Sequence, residues 1–173
     1  GTDAKDFLQL AIANNLDKLK SNGQALYTAM LNAQGGIIDD LIVYRLDPNY
    51  RIVINASTAA TDLAWLSQLA KQFNDVRLVP RRADLNNAQD PQGMVAIQGP
   101  HALSIISKAI PELKNLCETL KVFHAGVIAS PWGEIMIART GYTGEDGAEL
   151  LVRESAAPEI WSLLVKAGAQ PAG

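Results

Sequence analysis

Two adjacent carboxylates, Asp39 and Asp40, interrupt an otherwise apolar run, Gly35-Gly36-Ile37-Ile38-Asp39-Asp40-Leu41-Ile42-Val43. In a strand, alternation sends one to each face. Asp39 then goes with Ile37, Leu41 and Val43, and Asp40 with Ile38 and Ile42. A carboxylate against apolar surface needs a partner or has its pKa raised. Such a group can hold a substrate cation or help to move a proton. The other reading, two aspartates capping the Gly35-Gly36 turn, stays open on spacing alone.

A second constellation is Arg139-Thr140-Gly141-Tyr142-Thr143-Gly144-Glu145-Asp146-Gly147-Ala148-Glu149. Its glycines permit backbone conformations that side chains forbid, and Asp146-Gly147 is a hairpin signal. Tyr142 offers a flat face. Glu149, returning on the next strand, offers two acceptor oxygens that suit the N–H edge of a guanidine-like heterocycle. An ordinary glycine-rich hairpin with a surface glutamate fits the same pattern. Tyr27 and Asn55 fall on the strands either side of Asp39-Asp40, where they line one face together or simply pack.

Other chemistries lack their signals. The chain has no phosphate loop, no GxGxxG after a strand and no GxSxG elbow. His101 and His124 lack metal-ligand spacing, and Cys117 has no companion. His101 reads as a helix start, His124 as a strand residue, and Trp65, Trp132 and Trp161 as packing residues.

The elements that must position these residues follow from periodicity. A helix is predicted from Ala4 to Leu19, with Asp3 as its N-cap. Strands are predicted at Ala25–Leu31, Ile37–Leu46 and Arg51–Asn55, joined by Gln34-Gly35-Gly36 and Asp47-Pro48-Asn49. A helix over Thr61–Phe73 buries Leu63, Leu66, Leu69 and Phe73, and Asp75–Pro80 reads as an edge strand. The polar stretch Arg81–Gly93 reads as a link. Beyond it come a strand at Met94–Gln98, helices over His101–Ala109 and Pro111–Leu120, strands at Phe123–Ala129, Glu134–Thr140 and Ala148–Val152, and a helix over Ala157–Lys166. Short connections favour antiparallel neighbours. The predicted fold is therefore α+β: two ferredoxin-like halves packed together, residues 1–90 and 91–173. Only the second half has an opening strand. The unpaired edge this leaves, and a start at Gly1, suggest a fragment of a longer protein.

A net charge of −3 argues against a general nucleic-acid binder. No apolar run reaches the roughly 18 residues that span a bilayer, and no signal peptide is visible. One cysteine suits a reducing compartment. The expected placement is cytoplasmic, or the mitochondrial matrix in a eukaryote.

Leu31-Asn32-Ala33-Gln34-Gly35-Gly36-Ile37-Ile38-Asp39-Asp40-Leu41-Ile42-Val43-Tyr44 resembles the signature around the catalytic aspartate of the glycine-cleavage T-proteins, the aminomethyltransferases. Arg139-Thr140-Gly141-Tyr142-Thr143-Gly144-Glu145-Asp146-Gly147 resembles that family's glycine-rich hairpin. Ile97-Gln98-Gly99-Pro100 and Val53-Ile54-Asn55-Ala56 fall between them in the family's order. The resemblance implies transfer of an aminomethyl group from the lipoyl arm of the H-protein to tetrahydrofolate, with release of ammonia and no metal. Asp40 matches the essential aspartate, which orients folate and stabilises positive charge near the reacting nitrogens. Glu149 matches the glutamate that binds the pterin edge, and Tyr142, Tyr27, Asn55 and Val53 match residues lining the folate pocket. The family continues with an arginine-bearing segment and a C-terminal barrel, so the expectation for these 173 residues is weak folate binding and little or no turnover. The rival readings are the folate domain of a related demethylase or dehydrogenase, and a non-catalytic folate-binding protein of iron–sulfur cluster maintenance. The latter group carries a Lys-Gly-Cys-Tyr-type motif where this chain has Thr140-Gly141-Tyr142-Thr143-Gly144.

Overall fold

The computed structural model describes residues 1–141 and 144–172. The chain divides into two compact units, Gly1–Pro80 and Arg81–Gly173. The polar stretch after Pro80 is tied into the second unit: Arg81 pairs with Asp90, the Gln92 N–H donates to the Arg81 carbonyl, and the Glu154 N–H donates to that of Pro91.

The first unit is a three-stranded antiparallel meander of β1 (Ala25–Leu31), β2 (Ile37–Leu46) and β3 (Asn49–Val53), in that order. Helices α1 (Ala4–Ala11) and α2 (Ala59–Ala70) cover one face. Phe7, Leu8 and Ala11 of α1 meet Met30, Leu41 and Val43 of the sheet and Leu66 and Leu69 of α2 in one buried cluster. Phe7 and Phe73 close it edge to face, ring centres 5.8 Å apart.

The predicted helix over Ala4–Leu19 is broken. It ends at Ala11, and Ile12 turns extended to bridge Met30, while the Ala13 N–H donates to the Ala29 carbonyl. Pairing with the free edge of β1 satisfies polar backbone that the helix would have left beside it; a 3-10 turn follows at Leu16–Lys18. Asp3 stands at the N-cap but makes no capping bond; its carboxylate accepts from the N–H groups of Asn74 and Asp75 instead. The predicted strand at Asp75–Pro80 does not form. Val76 and Leu78 pack against the core from irregular backbone.

The second unit is a four-stranded sheet of order β4-β7-β6-β5, built from β4 (Gln92–Gln98), β5 (Ala125–Ser130), β6 (Gly133–Ala138) and β7 (Gly147–Arg153). All its pairings are antiparallel. Helices α3 (Ala102–Ala109), α4 (Lys114–Thr119) and α5 (Ala157–Ala167) lie on one face. Period-two alternation supplies the sheet side of that core: Val95 and Ile97, Ile135 and Ile137, then Ala148, Leu150 and Val152. Ile106, Ile110, Leu113, Ile160 and Leu164 answer from the helices. Trp65 and Trp132 pack against their cores, but Trp161 is 44% exposed. The sequence asymmetry is present: the second sheet has an opening strand paired to its last one, and the first sheet has no counterpart among the described residues.

Candidate functional site

The Asp39-Asp40 strand is entered through a turn that the sequence builds locally. The Asn32 side chain accepts from the N–H groups of Gln34 and Gly36, and Gly35 takes φ +82. That left-handed backbone suits glycine. A bulge follows, because Leu31 pairs with Ile37 and Met30 with Asp39, leaving Ile38 as the extra residue. Bulges re-aim side chains, and here the predicted apolar grouping changes. Ile37 is 73% exposed, not with Leu41 and Val43, while Ile38 packs against the core.

Beyond the bulge the register runs Ala29↔Asp40, Tyr27↔Ile42 and Ile42↔Val53. Directly paired residues share a face, so Asp40, Tyr27 and Val53 lie together on the face away from the helices. Asn55, two residues past Val53, brings its side chain to Asp40. The Tyr27 hydroxyl donates to Asp40 Oδ2. Asn55 Nδ2 donates to Asp40 Oδ1 at 2.9 Å and to its carbonyl at 3.1 Å. Thus both oxygens of one half-buried carboxylate are held, by Tyr27 on β1 and by Asn55 just past the end of β3.

Asp39 takes the opposite face, where it is buried. Both its oxygens also accept from Asn55: Oδ1 from Nδ2 at 2.9 Å, Oδ2 from the backbone N–H at 3.1 Å. Burial, the largest single influence, would raise its pKa, but the Asn55 bonds, with smaller contributions from Asp62 and Thr58, together outweigh it and hold the carboxyl below the ordinary value. Asn55 Nδ2 has two hydrogens for three acceptors, so one of its bonds is shared. One amide thus couples the two faces of the sheet. The predicted strand over Arg51–Asn55 ends at Val53 for this reason: Asn55 leaves the ladder to reach Asp39 and Asp40.

Sequence reasoning missed Asp62. It lies in the first turn of α2, fully buried, and neither of its carboxyl oxygens meets a hydrogen-bond partner. The Thr58 hydroxyl, whose one proton could serve it, donates to the Asn55 carbonyl at 3.2 Å. Burial pushes the Asp62 carboxyl up to about 6, and Asp39 beside it adds to the rise against an opposing influence from Thr58. The available signal was spacing. Asp62, Leu66 and Leu69 stand at i, i+4 and i+7, which places an aspartate on the helix's apolar stripe.

In the second unit Glu149 lies on β7 between Ala96 and Ala138, on the face away from the helices, and is 8% exposed. The Thr140 hydroxyl donates to its Oε2. The connection before it is longer than an Asp-Gly hairpin: residues 139–146 separate β6 from β7, and Asp146-Gly147 closes it. Gln98 packs against both ends of it. It sits beneath the connection, donating from Nε2 to the Thr140 carbonyl at 3.2 Å, and a Cβ on Gly141 or Gly147 would fall 2.5 or 2.4 Å from its Oε1. Arg139 clamps the far side, giving Nη2 to Asp146 at 2.6 Å and Nη1 to the Leu120 carbonyl. Tyr142 lies outside the described residues.

The remaining candidates take structural places. His101 precedes α3, the His124 ring contacts the Val122 carbonyl, and Cys117 is buried in the core, where burial pushes its thiol up. Among the described residues no group of three or more His, Cys, Asp or Glu is placed to hold a metal ion. Nor is any described helix long and apolar enough to cross a membrane.

Comparison with known proteins gives one answer. The family model described as "GCVT N-terminal domain" matches residues 1–173. An aminomethyltransferase of Ralstonia pickettii is 48% identical over 176 residues, covering 100% of this chain and 47% of the relative. That of Cupriavidus necator is 46% identical over 177 residues, with the same coverage. The chain therefore spans about half the length of the curated relatives it matches. Among solved structures, the glycine cleavage system aminomethyltransferase T from Bartonella henselae matches with TM-score 0.73 and 28% identity, over 94% of this chain and 40% of that one.

Proposed function

The chain belongs to the GCVT N-terminal domain family, and from that premise we propose that it is the folate-binding part of an aminomethyltransferase of the glycine cleavage system. The reaction moves the aminomethyl carbon from the lipoyl sulfur of an H-protein to tetrahydrofolate. The C–S bond breaks, the carbon becomes the methylene bridge of methylenetetrahydrofolate, nitrogen leaves as ammonia, and the arm regains its thiol. Each step passes through positive charge on carbon or nitrogen. In this reading Asp40 faces that charge, orienting the folate and stabilising the cation without becoming covalently attached.

The observation that carries the reading is the hold on Asp40. A half-buried carboxylate fixed at both oxygens by Tyr27 and Asn55 needs no reorganisation when charge develops near it. Tyr27, Val53 and Asn55 line the same face, and their role is contact with the folate. Glu149 in the second unit is assigned the pterin edge, with Thr140 fixing one oxygen and leaving the other to accept an N–H. Tyr142 is assigned a pocket-lining role by the family pattern. The rival folate-enzyme and iron–sulfur readings are not favoured, since the similar relatives are named aminomethyltransferases. In a bacterium the reaction belongs in the cytoplasm.

The test is calorimetric titration of tetrahydrofolate into the chain and into Asp40→Asn and Glu149→Gln. Saturable binding, weakened at least about tenfold by either change (about 1.4 kcal/mol), is the expected result. Binding that ignores both substitutions would refute the site assignment.

A further inference from the structure

Asp62 is the one charged side chain of α2, and it lies on the buried stripe with Leu66 and Leu69. Neither of its oxygens has a hydrogen-bond partner. An ionised carboxylate cannot be left that way cheaply. Asp39 lies within side-chain reach of it, itself 6% exposed, with each oxygen already accepting from Asn55 but keeping a second lone pair. Two ionised carboxylates so placed would repel in a poorly solvated setting. A hydroxyl on Asp62 removes both defects. It cancels one of two buried like charges and supplies a donor to Asp39.

We propose that Asp62, while it holds its proton, donates a hydrogen bond to Asp39 and so acts as the positioning residue that keeps Asn55 clamped on Asp40. The structural half of this stands alone; its meaning for catalysis rests on the folate reading above. The route is short. Asp62 holds Asp39, Asp39 takes two bonds from Asn55, and Asn55 holds Asp40 on the other face. Because the Asn55 amide serves three acceptors with two hydrogens, a displaced Asp39 would draw it away from Asp40.

The surroundings agree. Of the elements packed here, α1 carries Lys5 and Asp6, β1 carries Tyr27, β2 carries Asp39, Asp40, Tyr44 and Arg45, and β3 carries Tyr50 and Arg51. Among these, Asp39 is the one that acts on Asp62. Lys5 is engaged by Asp17 and Arg45 by Asp47. None of these described groups supplies a cation to hold Asp62 ionised, and burial favours its neutral form.

The test is 13C NMR of the aspartate carboxyl carbons in the 173-residue chain, titrated from acid to mildly alkaline pH. One aspartate should titrate about two pH units above the ordinary value near 3.9, and its signal should be missing from Asp62→Asn. The Asp39 carboxyl and the Asn55 amide should shift with the same midpoint. Asp62→Asn keeps a donor towards Asp39, so it should preserve the Asn55 amide signals, whereas Asp62→Ala should move them. The proposal is overturned if Asp62 titrates with the exposed aspartates, or if Asp62→Asn displaces Asn55. Should Asp62→Ala not fold, the parent titration and Asp62→Asn still decide. A second arm titrates tetrahydrofolate. Asp62→Asn should bind within about threefold of the parent, and Asp62→Ala should be at least about tenfold weaker. A parent chain that does not bind would sink the folate reading and leave the NMR titration to decide the proton on Asp62. Binding by the parent and both variants alike would overturn the positioning role.

Discussion

Asn55→Ala is the sharpest perturbation of this site. The substitution deletes the Nδ2 bonds to Asp39 Oδ1, Asp40 Oδ1 and the Asp40 carbonyl, while the backbone N–H to Asp39 Oδ2 survives. Bonds to charged groups contribute about 1.5–3 kcal/mol each and neutral ones about 1. With three acceptors sharing two hydrogens and the site half-buried, the low end applies, so the expected loss is about 3–4 kcal/mol. A unit of this size, Gly1–Pro80, loses about 4–8 °C of Tm per kcal/mol, which gives a fall of roughly 12–32 °C. The loss should also depend on pH. The folded pKa of Asp39 lies below its unfolded value, so its contribution is present above the unfolded pKa and disappears as pH falls through the folded one. Equilibrium urea unfolding, in a Trp132→Phe/Trp161→Phe background that leaves Trp65 to report on the first unit, measures both effects. A loss under about 1 kcal/mol, or one equally large at strongly acid and neutral pH, would refute the reasoning.

Asp62 acts with the opposite sign. Its folded pKa is raised from 3.8 to about 6, so the unfolded chain ionises first and stability falls as pH rises between those values, by up to about 3 kcal/mol. Asp62→Asn should remove that slope and gain stability above about pH 6; pH-dependent thermal unfolding with the parent's slope retained would contradict this. Gly147→Ala would place a Cβ 2.4 Å from Gln98 Oε1 and 2.7 Å from the Ile97 carbonyl. The carbonyl is backbone and cannot swing aside, so the second unit should lose about 1–3 kcal/mol, read from amide hydrogen exchange in β4 and β7. Unchanged protection would show that the close approach of Gln98 and Ile97 to Gly147 is not a packing constraint.

Much of the site follows from chain order and alternation. A period of two sends Asp39 and Asp40 to opposite faces of β2, and chain order puts Tyr27 and Asn55 on the segments either side, so the residue types already offer a carboxylate and two donors to one meander; which aspartate meets them waits on register. The apolar stripe of α2 likewise contains Asp62 once positions i, i+4 and i+7 are counted. What the sequence could not decide depends on groups distant along the chain. The bulge at Ile38 exchanges Ile37 for Ile38 in the core because pairing with β1 outweighs strict alternation. The first helix stops at Ala11 because the edge of β1 offers Ile12 and Ala13 backbone partners. The bond of Asn55 to both aspartates, and the burial of Asp62 against Asp39, exist only once β3 and α2 pack beside β2. Local pattern sets which face a side chain takes; only the packed fold decides which charges share that space and which of them must keep a proton.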